Sequence, residues 1–218
     1  MSKLVNSKPV AVITGDIVRS TELSEQDFDK VQANLKVALE TICSLSDSFY
    51  EKFRGDSFQL YVTEGSQALK YATLIRLALY YQSPHVEVRQ SIGVGKIQKV
   101  TAELNSIRGK VFELSGRGLD RMTNQRLSLE IDTNEALNCV NLLVQHLDTL
   151  LSNLTKDQAW LLHAFLLHEK STHKELAALV GKGRVNTTQI LNASHYRLVG
   201  ETLAFVSKVI SGIKSVPV

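Results

Sequence analysis

The order of apolar patterns along the first 131 residues limits what this chain can fold into more than any other feature. Residues 10–16, VAVITGD, form an apolar run ending in Gly-Asp, the pattern of a strand buried on both faces or at the centre of a sheet. Ser24 stands ready to cap a helix over 25–46, where Phe28, Val31, Leu35, Ala38, Leu39 and Ile42 recur at helical spacing. Residues 48–62 hold two strand-like runs separated by a Gly-Asp pair, which predicts a hairpin. A helix with a broad apolar face follows over 66–82. Residues 86–98 alternate and then break at Gly93 and Gly95, the mark of a strand that is bulged or closely approached. From about 110 to 122 the pattern is helical despite Gly116 and Gly118, and 126–131 is a last strand. Without its final helix and strand this is βαββαβ, the ferredoxin-like order of a mixed α/β (α+β) domain.

The remaining chain has a different character. Residues 133–150 predict a helix that closes the first unit or links it to a second. The tail then offers helices over 155–169 and 172–181, a Lys-Gly-Arg turn, and one long helix over 185–210. A short helix, a glycine-containing turn and a longer helix are the layout of a helix-turn-helix. Residues 155–218 carry eight Lys or Arg against four acids, whereas the first 154 are nearly neutral. The expected organisation is therefore an α/β domain over 1–132, a connecting helix over 133–154 and an all-α helix-turn-helix domain over 155–218. Two cysteines far apart, Cys43 and Cys139, predict buried thiols in a reducing, cytoplasmic setting. No run of about 18 apolar residues predicts a membrane span.

Two acids draw attention. Asp16 ends the first strand and Asp56 begins the third. In a split βαβ sheet those strands are antiparallel neighbours, so the two carboxylates are expected at one edge of the sheet. Like charges so placed repel unless one is protonated or a cation bridges them. Mg²⁺ suits that place, since it takes oxygen ligands and often one or two carboxylates plus phosphates. The plainer alternative is that each Asp merely terminates a strand.

Three stretches resemble the class III nucleotidyl cyclases. ITGDIVRSTEL is similar to that family's metal-binding strand and loop, with Asp16, Ile17 and Thr21 matching and Arg19 and Ser20 departing. KFRGDSFQLYV is similar to its Lys-x-x-Gly-Asp hairpin, which would make Asp56 the second metal ligand and Lys52 the base-contacting lysine. GKVFELSGRGLDRM resembles its later helix: Gly109 and Arg117 match, and Glu113 replaces an asparagine. The resemblance implies a nucleoside triphosphate bound with Mg²⁺ or Mn²⁺ against Gly15, Ile17, Gly55 and Glu113, with Arg117 on the phosphates and a homodimer completing the site. Over nearly the whole chain, GDIVRST, GDSFQ, RQSIGVGKI and ASHYRLV resemble the SatD family of bacterial proteins, which join such a core to a helix-turn-helix.

In the tail, Asn186, Thr187, Gln189 and Asn192 stand early on the second helix, where side chains reach base edges of double-stranded DNA. Lys182 and Arg184 are placed for phosphates. Ala177, Leu179, Val180, Ile190 and Leu191 are expected to hold the helices together. Leu198, Leu203, Phe205, Val206 and Val209 continue an apolar face that could dimerise. The leading expectation is a transcriptional regulator with a nucleotide- and Mg-binding cyclase-like domain and a DNA-binding tail. The rivals are an active nucleotidyl cyclase working as a homodimer and a scaffold whose tail mediates protein contacts.

Overall fold

A computed structural model describes residues 8–53, 55–96, 104–133 and 137–213, with the side chains of Lys96 and residues 104–108 left aside. The chain runs β1 (Pro9–Ile17), α1 (Glu25–Leu45), β2 (Phe49–Lys52), β3 (Ser57–Val62), α2 (Ala68–Tyr81), β4 (Val88–Lys96), α3 (Leu104–Arg121) and β5 (Leu127–Ile131). Five helices follow: α4 (Asn138–Ser152), α5 (Lys156–Leu167), α6 (His173–Leu179), α7 (Arg184–Ala193) and α8 (Tyr196–Gly212). The strands lie in the order β2-β3-β1-β4-β5. β1 is antiparallel to β3 and to β4, and β5 joins β4 in parallel. The first four strands thus have the ferredoxin-like order that the sequence pattern predicts.

β1 sits between two covered faces. Ala11, Ile13 and Ile17 share one core with Leu60, Ile92 and the apolar sides of α1 and α2. The alternate residues Val10 and Val12 meet Val111 of α3 on the other side. This two-residue period explains why VAVITGD carries no polar face.

The glycines of β4 serve close approach, not a bulge. The β1–β4 register is unbroken from Pro9↔Lys96 to Ile17↔Val88. A Cβ on Gly93 would lie 2.4 Å from the Val111 carbonyl oxygen and 2.8 Å from the Ser115 amide nitrogen. On Gly118 it would lie 2.1 Å from Ser91 Oγ. Through Gly118 and the Val111–Ser115 turn, α3 therefore presses its backbone onto the chain's own β4, whereas Gly116 faces open space. α3 also begins at Leu104, earlier than the apolar pattern suggests.

α2 is buried all round, from Ala68 and Leu69 through Tyr71–Leu79. The sheet lies on one side of it and α5 on the other, within one continuous core that reaches Ile213. Inside this packing Arg76, 4% exposed, is paired with Asp148 of α4 and donates from Nη2 to Ser152 Oγ at 2.8 Å. The Arg126 amide donates to the other Asp148 oxygen at 3.0 Å. A buried ion pair with its remaining valences filled is tolerated where a lone charge is not.

Three expectations need correction. The long helix over 185–210 is two helices, α7 and α8, broken at Ser194 and at His195, whose φ is 53°. Leu203 and Val206 of the supposed dimer face point into the chain's own core, while Leu198 and Phe205 are exposed. Of the thiols, Cys139 is exposed and Cys43 is half-buried. No helix among the described residues is long and apolar enough to cross a membrane.

Two predictions follow from this packing. Gly93→Ala should lower unfolding free energy by about 2 kcal/mol or more, because its neighbours are backbone atoms that cannot step aside. Gly116→Ala, with nothing within 4 Å of the new Cβ, should be neutral or stabilising by about 0.5–1 kcal/mol. Urea titration of both variants measures the difference. The second concerns His163, which lines a cavity of about 130 Å³ between α1, α2 and α5, its ring 5.3 Å from that of Tyr81. Burial, with a smaller effect of His168, pushes the imidazole down to about 4. The unfolded histidine protonates near 6.5 and the folded one only near 4, so protons favour the unfolded chain in that window. Stability should fall as pH drops from about 6.5 to 4, on the order of 2 kcal/mol, and His163→Gln should flatten melting temperature across that range.

Candidate functional site

The rim where β1 ends and β3 and β4 begin brings charged side chains together. Asp16 stands directly opposite Ser57 on β3 and Arg89 on β4. Opposed residues of paired strands share a face, so all three project on the α3 side of the sheet. Arg89 grips both carboxylate oxygens of Asp16, Nε at 2.9 Å and Nη2 at 2.5 Å. Asp56 directly precedes Ser57 and follows Gly55, whose φ of 87° makes glycine the natural residue in that turn. The Ser20 hydroxyl donates to one Asp56 oxygen, and Ser57 Oγ reaches the other at 3.5 Å. Ser20 opens the short 3₁₀ turn after β1, preceded by Arg19 in the left-handed region. Asp120 on α3 contributes a third acid: hydrogen bonding to Asp16 first, then the charges of Asp16, Asp56 and Asp120, raise the Arg89 guanidinium above its usual range against the opposing effect of burial. A polar line runs inward from this rim, Gln59 Nε2 donating to Thr14 Oγ1 at 3.3 Å and Thr14 Oγ1 meeting Ser115 Oγ at 2.8 Å.

Not every residue singled out from the sequence comes to this place. Lys52 pairs with Phe58 across the hairpin, and Phe58 with Gly15, so Lys52 stands on the α1 face, away from Asp16. There partial burial, and then the charge of Lys36 on α1, pull its ammonium below the usual lysine range. Gly15 makes room for the Phe58 ring, 2.7 Å from where its Cβ would be, and Ile17 is buried in the core. Both face away from the rim. Glu113 and Arg117 close an i,i+4 ion pair on the exposed side of α3 at 2.5 Å, and neither is bonded to Asp16 or Asp56. Arg89, Ser20 and Ser57 are rim residues that sequence reasoning passed over, and Asp120 of α3 lies in electrostatic reach of Arg89.

The donor set suits a hard cation in one respect. Two aspartates and two serine hydroxyls offer oxygen only, and Mg²⁺ commonly accepts one or two carboxylates and fills its shell with water and phosphate. Among the described residues no cluster of three or more His, Cys, Asp or Glu could hold a metal alone. None of Asp16, Ser20, Asp56, Ser57 and Arg89 lines either of two cavities formed by the described residues. One of about 220 Å³ lies between α3, β5 and α4, lined by Gly118, Arg121, Glu130 and Asn141. Another of about 200 Å³ lies on the β2–β3 face beside Phe112.

A second candidate site is the pair α6 and α7. A capping box of Thr172 and Glu175 starts α6. The chain turns through Gly181, φ 63°, with the Lys182 amide donating to the Ala177 carbonyl at 3.0 Å. His173 Nδ1 and Thr188 Oγ1, 3.0 Å apart, tie the two helices. Arg184, Asn186, Gln189 and Asn192 are exposed on α7. Thr187 is not: it is fully buried beneath the helix, its hydroxyl without a hydrogen-bond partner. Lys182 is committed as well, bound to Asp157 at 2.9 Å and 5.5 Å over the Trp160 ring. Ala177, Val180 and Leu191 are buried between the helices, whereas Leu179 is exposed.

No protein-family model matches the chain, and comparison with curated proteins gives no match. Among solved structures, the chain is similar to the active GGEEF domain of a diguanylate cyclase from Vibrio cholerae, with 14% identity and a TM-score of 0.44 over 59% of this chain and 85% of that one. It is also similar to the catalytic core of a rhodopsin-guanylyl cyclase with converted specificity, in complex with ATPalphaS: 14% identity, TM-score 0.39, over 54% of this chain and 75% of that one. A bacterial light-regulated adenylyl cyclase gives 14% identity and a TM-score of 0.38, over 56% of this chain and 43% of that one.

The burial of Thr187 makes it a packing residue. Thr187→Val removes a buried, unpartnered hydroxyl and should leave the melting temperature unchanged or higher.

Proposed function

We propose that this chain is a DNA-binding regulator whose sheet domain binds a nucleotide together with Mg²⁺ or Mn²⁺. What carries the reading is the convergence of Asp16 and Asp56 on one rim of the sheet, each in electrostatic reach of the same cationic side chain. A divalent ion bound there would neutralise both acids and anchor a phosphate chain. Asp16 and Asp56 would ligate it, and Arg89 stands beside the place the phosphates would take.

The output half of the proposal rests on α6, its four-residue turn and α7. Arg184, Asn186, Gln189 and Asn192 are exposed along α7, the helix that in a helix-turn-helix would meet the major groove. Asn and Gln are suited to adenine, and Arg184 to guanine or phosphate. The two sites lie on one packed body: α2 touches the sheet and α5, and α5 touches α7. Nucleotide binding that biases the sheet rim would therefore reach the DNA-facing helix through packed elements, as a reciprocal coupling of affinities.

The test has two arms. Isothermal titration of triphosphate with Mn²⁺ should show binding that Asp16→Ala abolishes and Lys52→Ala leaves intact. Fluorescence anisotropy on a duplex selected from a random pool should show affinity that falls steeply with salt. Arg184→Ala should weaken it several-fold and lower the salt slope by about one. Added triphosphate and Mn²⁺ should change duplex affinity by about fivefold or more. Duplex binding indifferent to salt and to Arg184 would remove the DNA reading. Turnover of the triphosphate would favour a dimeric cyclase, in which the exposed Arg117 of one copy serves the acids of another.

A further inference from the structure

Among the described residues two Arg–Asp pairs join distant elements, and their surroundings differ. Arg76 and Asp148 are enclosed, 4% and 12% exposed, and Ser152 and the Arg126 amide complete their hydrogen bonds. Nothing in that pair is free to move, and it ties α2 to α4 and β5. Arg89 and Asp16 are 33% and 18% exposed and stand at an open rim. Asp56 and Asp120 add negative charge on the same guanidinium. A structural ion pair needs one acid for one base. Here one arginine lies in the field of three acids, and it occupies both oxygens of Asp16, one of the two acids that a divalent ion would take.

We propose that Arg89 is an internal stand-in for the metal, a latch that closes on Asp16 in the metal-free protein and must release it when a divalent cation binds. This rests on the rim-metal reading of the previous subsection and adds a competitor to it. The physical reason is direct. A carboxylate with both oxygens in a guanidinium fork has no oxygen left to give at full strength. A divalent ion and a guanidinium on the same carboxylate also repel one another. Release is feasible because a third of the Arg89 side chain faces solvent, so the guanidinium can swing outward without opening the core. Once released it sits at the rim with its donors free, and the triphosphate that accompanies the metal is the anion it can take next. The latch therefore disfavours bare metal and favours metal that arrives with phosphate.

Mn²⁺ alone and Mn²⁺ with a nonhydrolysable nucleoside triphosphate are the two ligands to compare, on full-length protein. Binding is read by the electron paramagnetic resonance of free Mn²⁺. Arg89→Gln should bind bare Mn²⁺ about tenfold more tightly than wild type, and Asp16→Asn should lose it in either background. With triphosphate present, the advantage of Arg89→Gln should shrink or reverse. Arg89→Lys keeps the charge without the two-pronged grip and should fall between, which also guards against a Gln variant that fails to fold. Equal or weaker Mn²⁺ binding by both Arg89 variants, with wild-type binding intact, overturns the latch and leaves the metal site standing. No Mn²⁺ binding by any variant, with or without triphosphate, removes the metal reading and the latch with it.

Discussion

The antiparallel pairing of β1 with both β3 and β4 is the constraint on which the rest depends. It puts the end of one strand against the beginnings of two others. Three residues far apart in the chain, Asp16, Ser57 and Arg89, then stand side by side on one face, with Asp56 one step from Ser57. The register cannot slip by one residue without turning Ile13 and Ile17 out of one core and Val10 and Val12 out of the other. Core packing on both faces of β1 thus holds the charged rim in place, although no rim residue contributes much to the core.

The same economy governs the helical tail. α5 to α8 are not appended by a flexible tether, since α2 is buried between the sheet and α5 and the apolar core continues to the end of α8. The enclosed Arg76–Asp148 pair joins α2 to α4 within that core. A perturbation at the rim has only packed elements to travel through before it meets α7. That continuity is a physical basis for coupling, and coupling itself is a matter of two measured affinities.

How much of this was legible beforehand can be traced residue by residue. The strand order, the Ser24 cap and the hairpin around Asp56 were readable because each has a local signature: periodicity, a capping side chain, a turn glycine. The convergence of Asp16 with the start of β3 followed from topology. The same reasoning places Arg89 there too, because β4 is also antiparallel to β1 and Arg89 lies near its start; it was passed over because acids suggest a metal and an arginine in a strand does not. The break between α7 and α8 had no marker, since His195 adopts a left-handed φ without a glycine or proline to announce it. The start of α3 was hidden by Gly109 and by few apolar residues before it. Thr187 was misplaced by its residue type; its i,i+4 relation to Leu191 already puts it on the packed side of α7. Lys52 does not join the rim of its own chain, because strand alternation turns it to the other face.

The account stands on a cation taking Asp16 and Asp56 together at the sheet rim. A crystal grown with Mn²⁺ and a nonhydrolysable triphosphate, recorded for anomalous scattering at the manganese edge, tests it most directly. The account predicts a peak within roughly 2.0–2.3 Å of an oxygen from each aspartate, with Arg89 turned from Asp16 toward phosphate. A map with no peak at the rim and Arg89 still clasping Asp16 would contradict it.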